Sequence, residues 1–124
     1  MSIRKLLARS ASSMSTWGLR HIARRPAANM PGKIALKLDP QIIAESMGKV
    51  TEGSIVVVGT NGKTTITNMI ADALERQGKT VACNRTGANL AYGVATTLLQ
   101  TKGSVEWGVF ESDELWLAHT LPQV

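Results

Sequence analysis

Ser54-Ile55-Val56-Val57-Val58 runs straight into Gly59-Thr60-Asn61-Gly62-Lys63-Thr64-Thr65, and a helical repeat of apolar residues follows at once. The first run is too short for a helix, and its β-branched side chains suit a strand buried on both faces of a parallel sheet. The glycines mark a tight turn. Beyond it, Ile66, Met69, Ile70, Ala73 and Leu74 recur at the spacing of one helical face, which predicts a helix over Thr64–Gln77 with that face turned inward. Gly78 stands where a helix C-terminal cap belongs. A buried strand, a tight turn and an amphipathic helix in that order constrain the chain to a sheet covered by helices.

The pattern repeats downstream. Thr80–Cys83 reads as a second strand, Asn84–Asn89 as a polar loop, and Leu90–Gln100 as a helix with Leu90, Ala91, Val94 and Leu98 facing inward. Lys102-Gly103 turns the chain into a third strand, Val105–Phe110, ending at Glu111. This alternation predicts an α/β fold, a P-loop-type three-layer domain with a parallel sheet and right-handed crossovers. About three strands make an incomplete sheet that would leave Ser54–Val58 or Val105–Phe110 with an unpaired edge. Upstream, Asp39-Pro40 is expected to open a short helix that runs to about Met47 and closes at Gly48. Pro26, Pro31 and Gly32 read as a linker. Before it, Ile3 to about Ile22 forms a candidate helical arm with Ile3, Leu6, Leu7, Met14 and Trp17 on one side.

Charge divides the 124 residues unevenly. Residues 1–33 hold Arg4, Lys5, Arg9, Arg20, Arg24, Arg25 and Lys33 and no acid, whereas the rest holds the other seven basic residues and all nine acids. The net charge of +5 therefore belongs to the arm, and the body lacks the basic surface of a nucleic-acid-binding domain. The arm is expected either to lie on an anionic membrane surface or to dock on the protein itself. Its Arg- and Ser-rich composition is also that of a mitochondrial transit segment. No stretch reaches the roughly 20 apolar residues that span a bilayer, and no secretory signal is evident. The single cysteine, Cys83, excludes a disulfide framework and reads as a small core residue.

Gly59, Thr60, Asn61, Gly62, Lys63, Thr64 and Thr65 have the chemistry of a loop that aims backbone N–H groups and a helix N-terminus at phosphate oxygens. Lysine adds a point charge on the outer phosphates, and the hydroxyl after it reaches Mg²⁺. Glu111, an acid at the end of an apolar strand, is the expected second magnesium ligand beside Thr64. Asp113 and Glu114 are expected behind it or as charges at a helix start. The loop Asn84–Asn89 lies where a ligand binds in parallel sheets, and Asn89 is also placed to cap the next helix.

One departure is informative. The general phosphate-loop pattern would put glycine at position 57, where Val57 stands. The shortened Gly-Thr-Asn-Gly-Lys-Thr-Thr form resembles the Mur ligase and folylpolyglutamate synthase superfamily. Gly87-Ala88-Asn89-Leu90 is similar to the Gly-Asn loop of Mur ligases, and that likeness places Asn89 near the transferred phosphate, with Lys63, as a catalytic residue. Pro31–Ala35, Gly59–Thr65, Asn84–Leu90 and Glu111–Glu114 together resemble the branch of ligase-like subunits that act on lipid II.

The resemblance implies an ATP- and Mg²⁺-dependent amide ligase. It would convert the α-carboxylate of D-isoglutamate in lipid II to D-isoglutamine, with ammonia from a GatD-type glutaminase subunit and no nucleic-acid partner. It implies a bacterial cytoplasmic enzyme of peptidoglycan synthesis, with peripheral contact at the inner membrane face. Residues 34–124 would be the N-terminal part of the central ATP-binding domain. A zinc ribbon and a C-terminal domain would lie beyond residue 124, leaving the fragment incomplete for catalysis. A folylpolyglutamate-synthase-like or other Mur ligase, and a non-catalytic nucleotide-binding fragment, remain as alternatives.

Overall fold

The computed structural model describes residues 29–88 and 91–124, together with positions 3, 7, 9–11, 13 and 14. Those early positions are helical, and Ile3, Leu7 and Met14 are exposed. Leu6, Trp17, Asn89 and Leu90 lie outside the described residues.

Three parallel strands form one sheet: β1 (Val50–Val57), β2 (Val81–Cys83) and β3 (Val105–Glu111). The order is β1-β3-β2, so the last strand is the central one. Val57 pairs with Glu111, and Cys83 with Val109. All three strands therefore point the same way, and the segments that follow them leave from one edge of the sheet. The sequence left open whether β1 or β3 would carry an unpaired edge. Here β1 does, which explains why most of its side chains are only half-buried whereas Gly108, Val109, Phe110 and Glu111 of β3 are buried.

Alternation along β3 sends neighbouring side chains to opposite faces. Phe110 joins Ala35, Ile42, Ile43, Val94, Ala95 and Leu98 in the main core. These residues come from α1 (Met30–Leu38), α2 (Ile42–Ser46) and α4 (Ala91–Gln100). Glu111, one residue on, faces the other side and meets Thr64 in the first turn of α3 (Lys63–Arg76). Helices thus cover both faces, giving the α/β three-layer arrangement. The chain finishes with two short 3-10 turns, Glu114–Trp116 and Leu121–Gln123, around α5 (Leu117–Thr120).

Three expectations change. Pro31 and Gly32 start α1 rather than a linker: proline is tolerated in a first turn, where its missing N–H has no intrahelical partner. Gly32 sits where α1 crosses α4, its N–H donating to Thr96 Oγ1 at 2.8 Å. The short helix after Pro40 begins only at Ile42, because Asp39 first folds Pro40-Gln41 into a turn, its Oδ1 accepting from Gln41 N at 3.1 Å.

The third change concerns α3. Its inner face is Thr67 and Ala71, with Ile70 and Leu74 half-buried, while Ile66 and Met69 are 49% and 65% exposed. Lys63 and Thr64 must stand over the sheet edge, and that fixes the helix's rotation. The small residues below them then face the sheet. Met69 and Ala73 line a shallow outer groove with Asp72, Arg76 and Gln77.

Candidate phosphate-binding site

β1 ends at Val57, and the chain turns through Val58–Gly62 before α3 begins at Lys63. Gly59 and Gly62 carry positive φ, 148° and 77°, a backbone conformation that a side chain would oppose. Gly62 is the N-cap of α3 and supplies no side chain to bond the first N–H groups. A 14-residue helix thus presents an uncapped N-terminus, where orphan donors and the helix dipole favour an anion. Thr60, Asn61, Gly62 and Thr65 are exposed around it. Lys63 folds back over the loop, its Nζ donating to Gly59 O at 2.7 Å, which holds the ammonium beside the helix start.

Thr64 and Glu111, 47 residues apart, are brought together: Thr64 Oγ1 donates to Glu111 Oε2 at 2.6 Å. Glu111 is only 3% exposed. A carboxylate so enclosed needs strong partners, and a short charge-assisted bond is one. Gly87 forms the third wall. Its φ is +73°, and a Cβ there would lie 3.1 Å from Thr64 Oγ1 and 3.8 Å from Glu111 Oε2, so only glycine leaves this space open. A hydroxyl and a carboxylate beside a phosphate cradle form a hard-oxygen donor set that fits Mg²⁺, which takes few protein ligands together with phosphate oxygens.

Asp113 does not enter this cluster; its Oδ1 accepts from Leu115 N at 3.1 Å and caps the following 3-10 turn. Glu114 lies exposed in that turn's first position. Arg85, in the loop after β2, turns to α3 and pairs with Asp72 at 2.7 Å and Glu75 at 2.9 Å. Asn89 lies outside the described residues.

Sequence reasoning placed Asn84 in a ligand-binding loop but gave it no role of its own. This residue, 3% exposed, follows β2 and bonds three backbone groups: Glu111 N at 2.7 Å, Glu111 O at 2.9 Å and Ala88 O at 2.8 Å. The signal available was a carboxamide directly after a short apolar strand, a position where a ladder must end.

Strand, loop and helix define a phosphate-loop α/β domain. Residues 57–119 match the Mur ligase middle domain, and the chain belongs to that family. It is similar to the "Lipid II isoglutaminyl synthase (glutamine-hydrolyzing) subunit MurT" of Streptococcus pneumoniae, at 36% identity over 104 residues. That alignment covers 84% of this chain and 22% of the relative. The protein of the same name from Staphylococcus aureus strain COL is 31% identical over 122 residues, covering 90% of this chain and 28% of the relative. The chain thus spans about a quarter of the length of the curated relatives it matches.

Proposed function

We propose that this chain is the nucleotide-phosphate portion of an ATP-dependent amide ligase subunit that amidates the D-isoglutamate α-carboxylate of lipid II. The meeting of Thr64 and Glu111 beside the Lys63 loop, in a chain of the Mur ligase family, carries the reading. Its similarity to two relatives named as subunits of lipid II isoglutaminyl synthase supplies the substrate class. In this reading residues 34–124 are the N-terminal part of the central ATP-binding domain and residues 1–33 are the basic arm before it, with α1 crossing that boundary from Met30.

The geometry suits the chemistry. N–H groups of the Gly59–Gly62 turn and the start of α3 hold the β- and γ-phosphates, and the Lys63 ammonium leaves Gly59 O to meet their charge. Thr64 and Glu111 would hold Mg²⁺, which neutralises charge on the phosphates when bound. A carboxylate oxygen of the substrate attacks the γ-phosphorus and ADP leaves, giving an acyl phosphate. Ammonia from a GatD-type glutaminase partner then attacks the acyl carbon. Phosphate departs with the bonding pair, and the nitrogen loses a proton. Asn89 is assigned to the neighbourhood of the transferred phosphate by family likeness.

The test is glutamine- and ATP-dependent amidation of lipid II by the full-length protein with its glutaminase, with Lys63→Ala as the control. Amidation that Lys63→Ala abolishes is the expected result. ATP binding without amidation would overturn the reading in favour of a non-catalytic module, and glutamate addition to folate would replace it with a folylpolyglutamate-type ligase. Among the described residues no helix is long and apolar enough to cross a membrane. The basic arm is assigned to the inner membrane face, near the lipid-linked substrate. Deleting residues 2–25 is expected to weaken binding to anionic vesicles, and unchanged binding would sink that assignment.

A further inference from the structure

The carboxamide of Asn84 makes three hydrogen bonds, using both of its N–H donors. Its Oδ1 takes the Glu111 N–H, while its Nδ2 gives one hydrogen to Glu111 O and the other to Ala88 O. The regular pairing of β2 with β3 stops at Cys83 and Val109. Beyond that point Asn84 replaces the ladder with a side chain, bonding both backbone polar groups of the residue whose carboxylate meets Thr64. Through Ala88 O the same group also pins the far end of the Asn84–Ala88 turn, which holds Gly87 against Thr64 Oγ1 and Glu111 Oε2. Two walls of the candidate cation site therefore hang on one buried side chain.

No other small side chain reproduces this. Aspartate offers only acceptors and would face two carbonyl oxygens with a buried charge. Serine is too short to reach both carbonyls while accepting from Glu111 N. Alanine leaves a buried N–H and two buried carbonyls without these partners.

We infer that Asn84 is a positioning residue of the nucleotide site: by fixing the backbone of Glu111 and the Gly87 turn, it sets how strongly Mg²⁺ supports nucleotide binding. The inference rests on the ATP- and Mg²⁺-binding reading above. Asn84 touches neither phosphate nor cation in this assignment; it acts through Glu111. Losing such an outer support typically costs about 10–100-fold in metal affinity.

The experiment titrates a fluorescent ATP analogue into the full chain with and without Mg²⁺, for wild type, Asn84→Ala, Glu111→Gln and the double variant. Lys63→Ala serves as the nucleotide control, and Val94→Ala, in the core under α4, as a control for lost stability. Asn84→Ala is expected to keep its Mg²⁺-free affinity within about twofold and to require about 10–100-fold more Mg²⁺ for the tightened state. It should add no further loss in the Glu111→Gln background, and Val94→Ala should leave the Mg²⁺ requirement at the wild-type value. Should Asn84→Ala fail to fold, Asn84→Ser, which keeps an acceptor for the Glu111 N–H, makes the same comparison. A wild-type Mg²⁺ requirement in the Asn84 variant would overturn the inference. So would a loss that adds in full to that of Glu111→Gln, or one that Val94→Ala reproduces. In those cases Lys63-dependent binding by wild type leaves the nucleotide reading standing. Absence of Lys63-dependent binding in wild type would overturn both.

Discussion

The Thr64–Glu111 hydrogen bond is short because its acceptor is a carboxylate almost sealed from water. Thr64→Val keeps the shape and removes the donor. A hydrogen bond to a charged group contributes about 1.5–3 kcal/mol, so ligand-free stability should fall by an amount in that range. Urea denaturation measures it, and Thr64→Ser should recover most of the loss. An unchanged midpoint in Thr64→Val would mean that Glu111 has no need of the contact. Cys83 shows the opposite use of burial. Its thiol is half-buried at the end of β2, and burial pushes its pKa up to about 11, with Arg85 opposing the shift. At neutral pH the thiolate is therefore scarce, and the thiolate is the reactive form. Reaction with a disulfide reagent at pH 7.5 should be much slower in the native chain than in urea. Equal rates would contradict the structural role read for this residue from the sequence.

Among the elements, the α1–α4 crossing is the least tolerant contact. A Cβ on Gly32 would stand 1.9 Å from Tyr92 O and 2.9 Å from Thr96 N, both backbone atoms that cannot swing away. Gly32→Ala must separate the helices, and overpacking of this kind costs about 1–3 kcal/mol or more. Thermal melts of the full chain would detect the loss; a stability equal to wild type would show that the helices can slide apart freely. The same glycine explains why α1 escaped the sequence reading. Pro31-Gly32 is a breaker pair by local rules, and only the partner helix reveals that one residue suits a first turn and the other a crossing. The strands and α4 were legible because their apolar runs are short or strongly periodic. The face of α3 was not. Its larger apolar residues form the better stripe, but Thr67 and Ala71 face the sheet, since Lys63 and Thr64 fix the rotation from the phosphate end. Glycines, lysine and hydroxyl marked the candidate site in the sequence because phosphate chemistry, on the proposed reading, restricts them locally. The part Asn84 plays in that loop was not legible, because its three partners are backbone groups that only tertiary pairing supplies.

At the scale of the described residues, an ion cluster and the candidate site sit at opposite ends of the sheet. The phosphate loop, Glu111 and the Asn84 turn gather where the strands end. Near where they begin, Lys79 bridges Glu52 of β1 and Glu106 of β3, each at 2.9 Å, just before its own chain enters β2. Trp107 Nε1 donates to Glu52 Oε2 at 2.9 Å, and Thr80 N donates to Glu106 Oε2 at 2.8 Å. This cluster ties all three strands together. The hydrogen bond from Lys79, with that from Thr80 N, lowers the Glu106 pKa from 4.5 to about 2, and the hydrogen bonds that Lys79 donates to Glu106 and Glu52 raise its own. For a carboxylate depressed on folding, the stabilisation is complete above its unfolded value and disappears as pH falls through the folded one. The Glu106 contribution is therefore full above about pH 4.5 and lost toward about pH 2. For Lys79 the sign reverses: its contribution is full below the ordinary lysine value and fades as pH rises through the raised one. Across neutral pH both are present, so the cluster itself adds no slope there. Glu106→Gln should lower the thermal midpoint at pH 7 and draw level with wild type as the pH approaches 2. The cluster is exposed, so 1 M salt should shrink the difference. Because it lies away from the phosphate loop, the same variant should bind nucleotide as wild type does. Parallel midpoint–pH curves for the two proteins would show that the ion cluster does not hold the three strands together.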